Sequence, residues 1–164
     1  KGLPAGPLAA LGLDGEDTAA LNRLVHELGE AVQKILSDLV TGAKPLDIFV
    51  VEGTVVQGPN GTGRMDMFAG RPMTEWITDL TSVASIVVGV GDCAAYGGLP
   101  TVAPNPSEST GLQFHREVKG GYLGKDWVSK AGLPVINIPG CPAHPDWISQ
   151  IVTARRVSYT DMIR

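Results

Sequence analysis

The chain has 164 residues and a formal net charge of -4, and only 18% of it is charged, against roughly 25% in ordinary soluble domains. That length suits one domain with a real core, and the acidic balance excludes the basic footprint of a nucleic-acid-binding protein. No apolar run approaches the ~20 residues of a transmembrane helix, and no secretory signal pattern stands at the start.

In chain order, Lys1 to Gly15 is rich in Gly, Pro, Ala and Leu without a period, and reads as an irregular lead-in. The chain opens on Lys1 rather than Met, so a leader or a longer amino-terminal part is expected upstream. Asp17 or Thr18 is suited to cap a helix reaching about Val40. Its apolar residues Leu21, Leu24, Val25, Leu28, Val32, Ile35, Leu36 and Leu39 recur at threes and fours. Gly42 ends it. Leu46 to Val51 is an apolar run after Pro45, interrupted only by Asp47, the pattern of a parallel strand buried on both faces. A glycine-rich loop follows, from Glu52 to Gly70. Pro72 to Ala84 reads as a helix with proline near its start, and Ile86 to Val90 as a second buried strand. Leu99 to Gly124 is a long loop, and Asp126 to Ala131 a short helix. Val135 to Ile138 is a third buried strand, and Pro142 opens a last helix through about Val152. Arg155 to Arg164 has no interpretable pattern. Strands separated by helices predict βαβ units and a parallel sheet, here a thin one.

The only two cysteines occupy matching places. Cys93 follows the second strand in Gly91-Asp92-Cys93-Ala94-Ala95-Tyr96-Gly97-Gly98, and Cys141 follows the third in Pro139-Gly140-Cys141-Pro142. In an open parallel sheet the carboxyl ends of the strands form one rim, where ligands bind. Two thiolates there are placed to share one soft metal centre, although an iron–sulfur cluster ordinarily takes four. A disulfide or two unpaired core thiols are the alternatives. Small residues around Cys93 suit a bulky group held close to the backbone, with successive amides aimed at sulfide.

Other motifs are weaker. The glycines at 89, 91, 97 and 98 have the wrong spacing for a dinucleotide loop. Gly58-Pro59-Asn60-Gly61-Thr62-Gly63-Arg64 lacks the Gly-Lys-Ser/Thr of a phosphate loop. Glu52 ends its strand at the same rim, as a proton relay or as a hydrogen-bonded turn residue. His26 reads as structural, His115 as solvated and His144 as a packing or surface residue more than a ligand. Trp76, Trp127 and Trp147 are core or interface anchors. With 21 glycines and 12 prolines the chain is turn-rich as well as charge-poor, and a partner is expected over much of its surface. The alternative is a glycine-rich α/β domain with an ordinary surface.

Val51-Glu52-Gly53-Thr54, the Gly91 to Gly98 stretch and Pro139-Gly140-Cys141-Pro142-Ala143-His144-Pro145-Asp146-Trp147 resemble the small subunit of [NiFe] hydrogenases. The loop from Gly58 to Gly63 and the Gly111 to Phe114 region resemble its uptake and hydrogen-sensing branch. The resemblance covers roughly Pro45 to Trp147. It implies a flavodoxin-like doubly wound parallel sheet in a single domain, 1–164, holding a proximal [4Fe-4S] cluster. It also implies a large-subunit partner that carries the nickel–iron centre. Cys93 and Cys141 match two of the four cluster ligands. Glu52, Gly91, Asp92, Ala94 and Gly140 are implied neighbours of that cluster, and backbone amides around the cysteines would tune it.

The family's first strand and its C-x-x-C, which supply the other two ligands, have no counterpart here, nor do the later cluster cysteines. That strand is central in the family's sheet, so a gap between neighbours is expected. Either the chain is a fragment of a longer subunit or the protein has lost its cluster. The intact Cys93 and Cys141 loops favour a fragment. The rival readings are the related cluster-bearing subunit of respiratory complex I and a cluster-free scaffold on the same fold. A cytoplasmic location, or membrane association through partners, is expected, as is a higher-order heteromer.

Overall fold

The computed structural model describes residues 15–153, so the expectations for the lead-in and the final stretch lie outside the described residues. Helix α1 runs Gly15–Val40. It starts two to three residues before the expected caps and ends two before Gly42, which adopts the left-handed φ of 77°. Strand β1 is Ile48–Glu52. The loop after it carries a small antiparallel hairpin, β2 (Met67–Phe68) and β3 (Arg71–Pro72), leading into α2 (Met73–Val83). Strand β4 (Ile86–Val90) passes directly into α3 (Gly91–Tyr96). A second hairpin, β5 (Phe114–His115) and β6 (Val118–Lys119), interrupts the next long loop. Strand β7 is Ile136–Ile138 and helix α4 Pro145–Thr153.

Strands β1, β4 and β7 form one parallel sheet in the order β1-β4-β7. Ile48 pairs with Ile86 through to Glu52 with Val90, and Val88 to Val90 pair with Ile136 to Ile138. The expected gap between neighbours is not seen, because β1 hydrogen-bonds straight to β4. Residues alternate between the two faces of a strand. On one face Val55, Ile77, Ala84, Val87, Leu112 and Val135 form a buried cluster, which α2 covers with Ile77. On the other, Val88, Val90 and Ile138 pack with Ile148 and Ile151 of α4. Helices thus cover both faces, as in a doubly wound sheet. The central strand β4 is buried along nearly its whole length and carries no polar side chain, whereas the edge strand β1, expected to be buried on both faces, leaves Val50 46% exposed and ends on the exposed Glu52.

Three local expectations are corrected. Residues 126–131 are turns, not a helix, and the backbone there closes on Leu133 and Ser85 instead of on itself. The last helix begins at Pro145, not Pro142, with the His144 carbonyl accepting from Trp147 and Ile148. His115 is half-buried, with its Nδ1 enclosed and without a hydrogen-bond partner, so it is not a solvated loop residue.

The long loop before β7 is organised by Gln113, which is nearly fully buried. Its amide nitrogen donates to the Trp127 carbonyl at 2.9 Å, and its amide oxygen accepts from Val135 N–H at 3.0 Å. Each contact satisfies a backbone group that would otherwise be buried unpaired. The two long loops meet at Val55 and Thr110, whose amides and carbonyls exchange bonds of 2.8 and 3.0 Å. The stripe of α1 is only partly used. Leu24, Val25, Leu28 and Ile35 stay more than half exposed.

Candidate metal centre at the sheet rim

Parallel pairing of Val90 with Ile138 brings the two cysteine turns to the same rim. Cys93 lies in the first turn of α3, and Cys141 in the turn before α4. Both thiols are free, Cys93 half-buried and Cys141 exposed. They line one open cavity of about 270 Å³ together with Glu52, Gly91, Asp92, Gly140 and Pro142. Both cysteines therefore line one cavity at the carboxyl rim of the sheet.

Two backbone approaches build this site. Asp92 and Gly140, each one residue before a cysteine, bond to each other twice. Asp92 N–H donates to the Gly140 carbonyl at 3.1 Å, and Gly140 N–H donates to Asp92 Oδ1 at 2.7 Å. The Asp92 amide is therefore occupied, and is not one of those free to point at sulfide. Gly98 folds back over Cys93 with φ 59° and ψ -154°, a region nearly exclusive to glycine. A Cβ there would stand 3.1 Å from Cys93 Cα and closer still to its Sγ.

The remaining predicted residues fall as follows. Glu52 lines the cavity and is also exposed to water. It lies on the α4-facing side of the sheet, in register with Val90. Ala94 is fully buried beneath the site, and its carbonyl accepts from Leu112 N–H. His144 is exposed, and its Nδ1 accepts from Asp146 N–H at 3.2 Å at the start of α4. His26 is exposed on α1 and lies 3.2 Å from Glu30. Trp76 is buried, donating from Nε1 to the Phe68 carbonyl, whereas Trp147 is exposed. The glycine loop at 58–63 holds no room for a phosphate. Glu108 accepts from Asn60 N–H at 2.7 Å and Gly61 N–H at 2.8 Å, filling the anion nest with a carboxylate of the chain itself. Neither Glu108 nor Gln113 was legible as a structural residue in the sequence, since each acts on positions far away along the chain.

Two soft thiols on one cavity, with glycines leaving the backbone close, fit half of a four-thiolate set. Among the described residues no group of three or more His, Cys, Asp or Glu is arranged to hold a metal ion. The described residues therefore do not complete a cluster by themselves.

A family model described as NADH ubiquinone oxidoreductase, 20 Kd subunit, matches residues 15–155. The chain is 38% identical over 105 residues to the F420 non-reducing hydrogenase II small subunit of Methanosarcina mazei, covering 62% of this chain and 26% of that protein. It is 33% identical over 141 residues to the periplasmic [NiFe] hydrogenase small subunit of Solidesulfovibrio fructosivorans, covering 84% of this chain and 37% of that one. Among solved structures it is similar to an actinobacterial-type NiFe-hydrogenase from Ralstonia eutropha H16, with a TM-score of 0.60 and 30% identity over 74% of this chain and 36% of that one. The chain spans about a quarter to a little over a third of the length of these relatives.

Proposed function

This chain belongs to the NADH ubiquinone oxidoreductase 20 Kd subunit family, and we propose that it is the sheet domain of an electron-transfer small subunit of a [NiFe] hydrogenase. The observation that carries this is the pairing of Cys93 and Cys141 on one rim cavity, in a chain similar to hydrogenase small subunits. In this reading the two thiolates hold one side of a proximal [4Fe-4S] cluster, for which these 164 residues supply no further cysteine. The cluster, when bound, passes electrons one at a time from a nickel–iron site in a large-subunit partner.

The chain's own part is to position and insulate. Cys93 and Cys141 supply thiolates from two different turns, so neither can be displaced without moving a strand end. Asp92 and Gly140 tie those turns together. Gly98 leaves the Cys93 sulfur its space. Glu52, in contact with both cavity and water, is the group able to take up a proton beside the site. No helix among the described residues is long and apolar enough to cross a membrane.

The family's own description favours a second reading, the cluster-bearing subunit of respiratory complex I. Iron and sulfide analysis of the full polypeptide, purified anaerobically with its large subunit, tests the cluster reading. A fall of about four iron atoms and four sulfides per complex is expected in Cys93→Ala and in Cys141→Ala relative to wild type. A wild-type complex without acid-labile sulfide would turn the reading to a cluster-free scaffold. Hydrogen-dependent dye reduction by the complex separates hydrogenase from complex I.

A further inference from the structure

Asp92 and Gly140 are 48 positions apart, yet they link the two cysteine turns directly. The link is reciprocal. The Asp92 backbone gives one bond, and its side chain accepts the other at 2.7 Å. Every change in the separation of these two residues is passed on to the next residue along each turn, which is the thiol. The Asp92 side chain is half-buried and lines the thiol cavity. Gly91, with φ 84°, places a Cβ position only 3.4 Å from the same Gly140 carbonyl, so the two turns are already in close contact there.

We infer that Asp92 is a positioning residue whose side-chain oxygen, acting as a hydrogen-bond acceptor and not through its charge, sets the spacing of Cys93 and Cys141. The inference rests on the reading that the two thiols work as a pair, and it deepens that reading. It separates two roles a carboxylate beside a metal-type site can have. A latch needs an acceptor at one place. An electrostatic tuner needs a negative charge anywhere nearby.

A dithiol-specific arsenical reads the spacing without iron. Phenylarsine oxide captures two neighbouring thiols by forming two As–S bonds; the oxygen leaves as water with both thiol protons, and no electron is exchanged. The probe is titrated into the reduced, metal-free full chain, and the loss of both free thiols is followed. N-ethylmaleimide rates at each cysteine serve as single-thiol controls. The wild type is expected to bind one arsenical per chain. Asp92→Asn keeps the acceptor oxygen and should bind within about twofold of wild type. Asp92→Ala, which removes it, should bind about tenfold more weakly with unchanged maleimide rates, the upper end of the scale of one ordinary hydrogen bond. Asp92→Glu keeps the charge but moves the oxygen by one methylene, and should also bind weakly. If Glu behaves as wild type while Asn fails, the charge is what matters and the latch is wrong. If all three bind as wild type, Asp92 sets nothing. If Asp92→Asn fails to fold, the acceptor alone is insufficient and the inference is overturned. Failure of the wild type to capture the arsenical with both thiols would overturn the latch, whereas a loaded complex without acid-labile sulfide is what would sink the shared-site reading, which separates the two failures.

Discussion

Glu52 is the register partner of Val90, so the strand bearing the carboxylate and the strand leading to Cys93 end level at the rim. Alternation along β1 turns Glu52 toward the same face as Ile48, the face on which Val90 and Ile138 pack. Glu52→Gln keeps size and hydrogen-bonding capacity but removes the charge and the proton site. In the loaded complex it is expected to leave iron content nearly intact and to shift the reduction potential or its pH dependence. Redox titration at several pH values measures this. Iron loss as severe as in Cys141→Ala would make Glu52 a ligand or a structural group instead.

Gly98→Ala places a methyl group against Cys93 in a backbone region that alanine avoids. Overpacking of this kind costs typically about 1–3 kcal/mol. The relief should be specific. In a Cys93→Ala background, the same Gly98 change is expected to cost clearly less, since the side chain it presses on is shorter. A double-mutant cycle by urea unfolding gives the coupling, and equal costs in both backgrounds would show that backbone strain alone accounts for the loss.

Leu112 is fully buried in the cluster with Val55, Ile77, Val87 and Val135, although it sits in a stretch without regular secondary structure. Leu112→Ala should destabilise by about 2–5 kcal/mol, as for truncation at a core site. Leu99, 83% exposed, serves as contrast. Leu99→Ala should stay within about 0.5 kcal/mol of wild type in the isolated chain. Chemical denaturation compares them, and a small effect at Leu112 would mean that the loop does not form part of the core.

Arg71 forms a three-way contact on α2. Its Nε lies 2.9 Å from Glu75 and its terminal nitrogen 2.8 Å from Asp79, and its guanidinium stands 4.3 Å from the Trp76 ring centroid. The bond to Asp79, then that to Glu75, raises its pKa further above an already high value. It stays charged at every working pH and adds no pH dependence of its own. Arg71→Ala should cost about 1 kcal/mol, since exposed pairs are screened and the stacking term is modest. Arg71→Lys, lacking the planar fork, should recover only part of it. Thermal unfolding at low and high salt reads both, and full recovery by lysine would reduce the contact to simple charge.

The sequence alone determined the parts whose signal is local. Apolar runs after Pro45, before Gly91 and after Pro134, interrupted only by Asp47 and Asn137, mark the three strands, because a parallel strand packed between helices carries few polar side chains. The same logic put Cys93 and Cys141 at strand ends, and so on one rim. Tertiary structure decided what lies between distant positions. The direct pairing of β1 with β4, the Asp92–Gly140 link across 48 residues, the Glu108 carboxylate in the Gly58–Gly63 loop and the Gln113 contacts that lead into β7 leave no periodic trace in the chain. The short helix at Gly91–Tyr96 was missed for a related reason. Its glycine and alanine pattern shows no amphipathic period, and it forms where the end of β4 and the loop carrying Leu112 pack around it, with the Ala94 carbonyl bonded to Leu112. Hydrogen bonds and close packing between remote segments depend on where the chain returns in space, and only the folded chain specifies that.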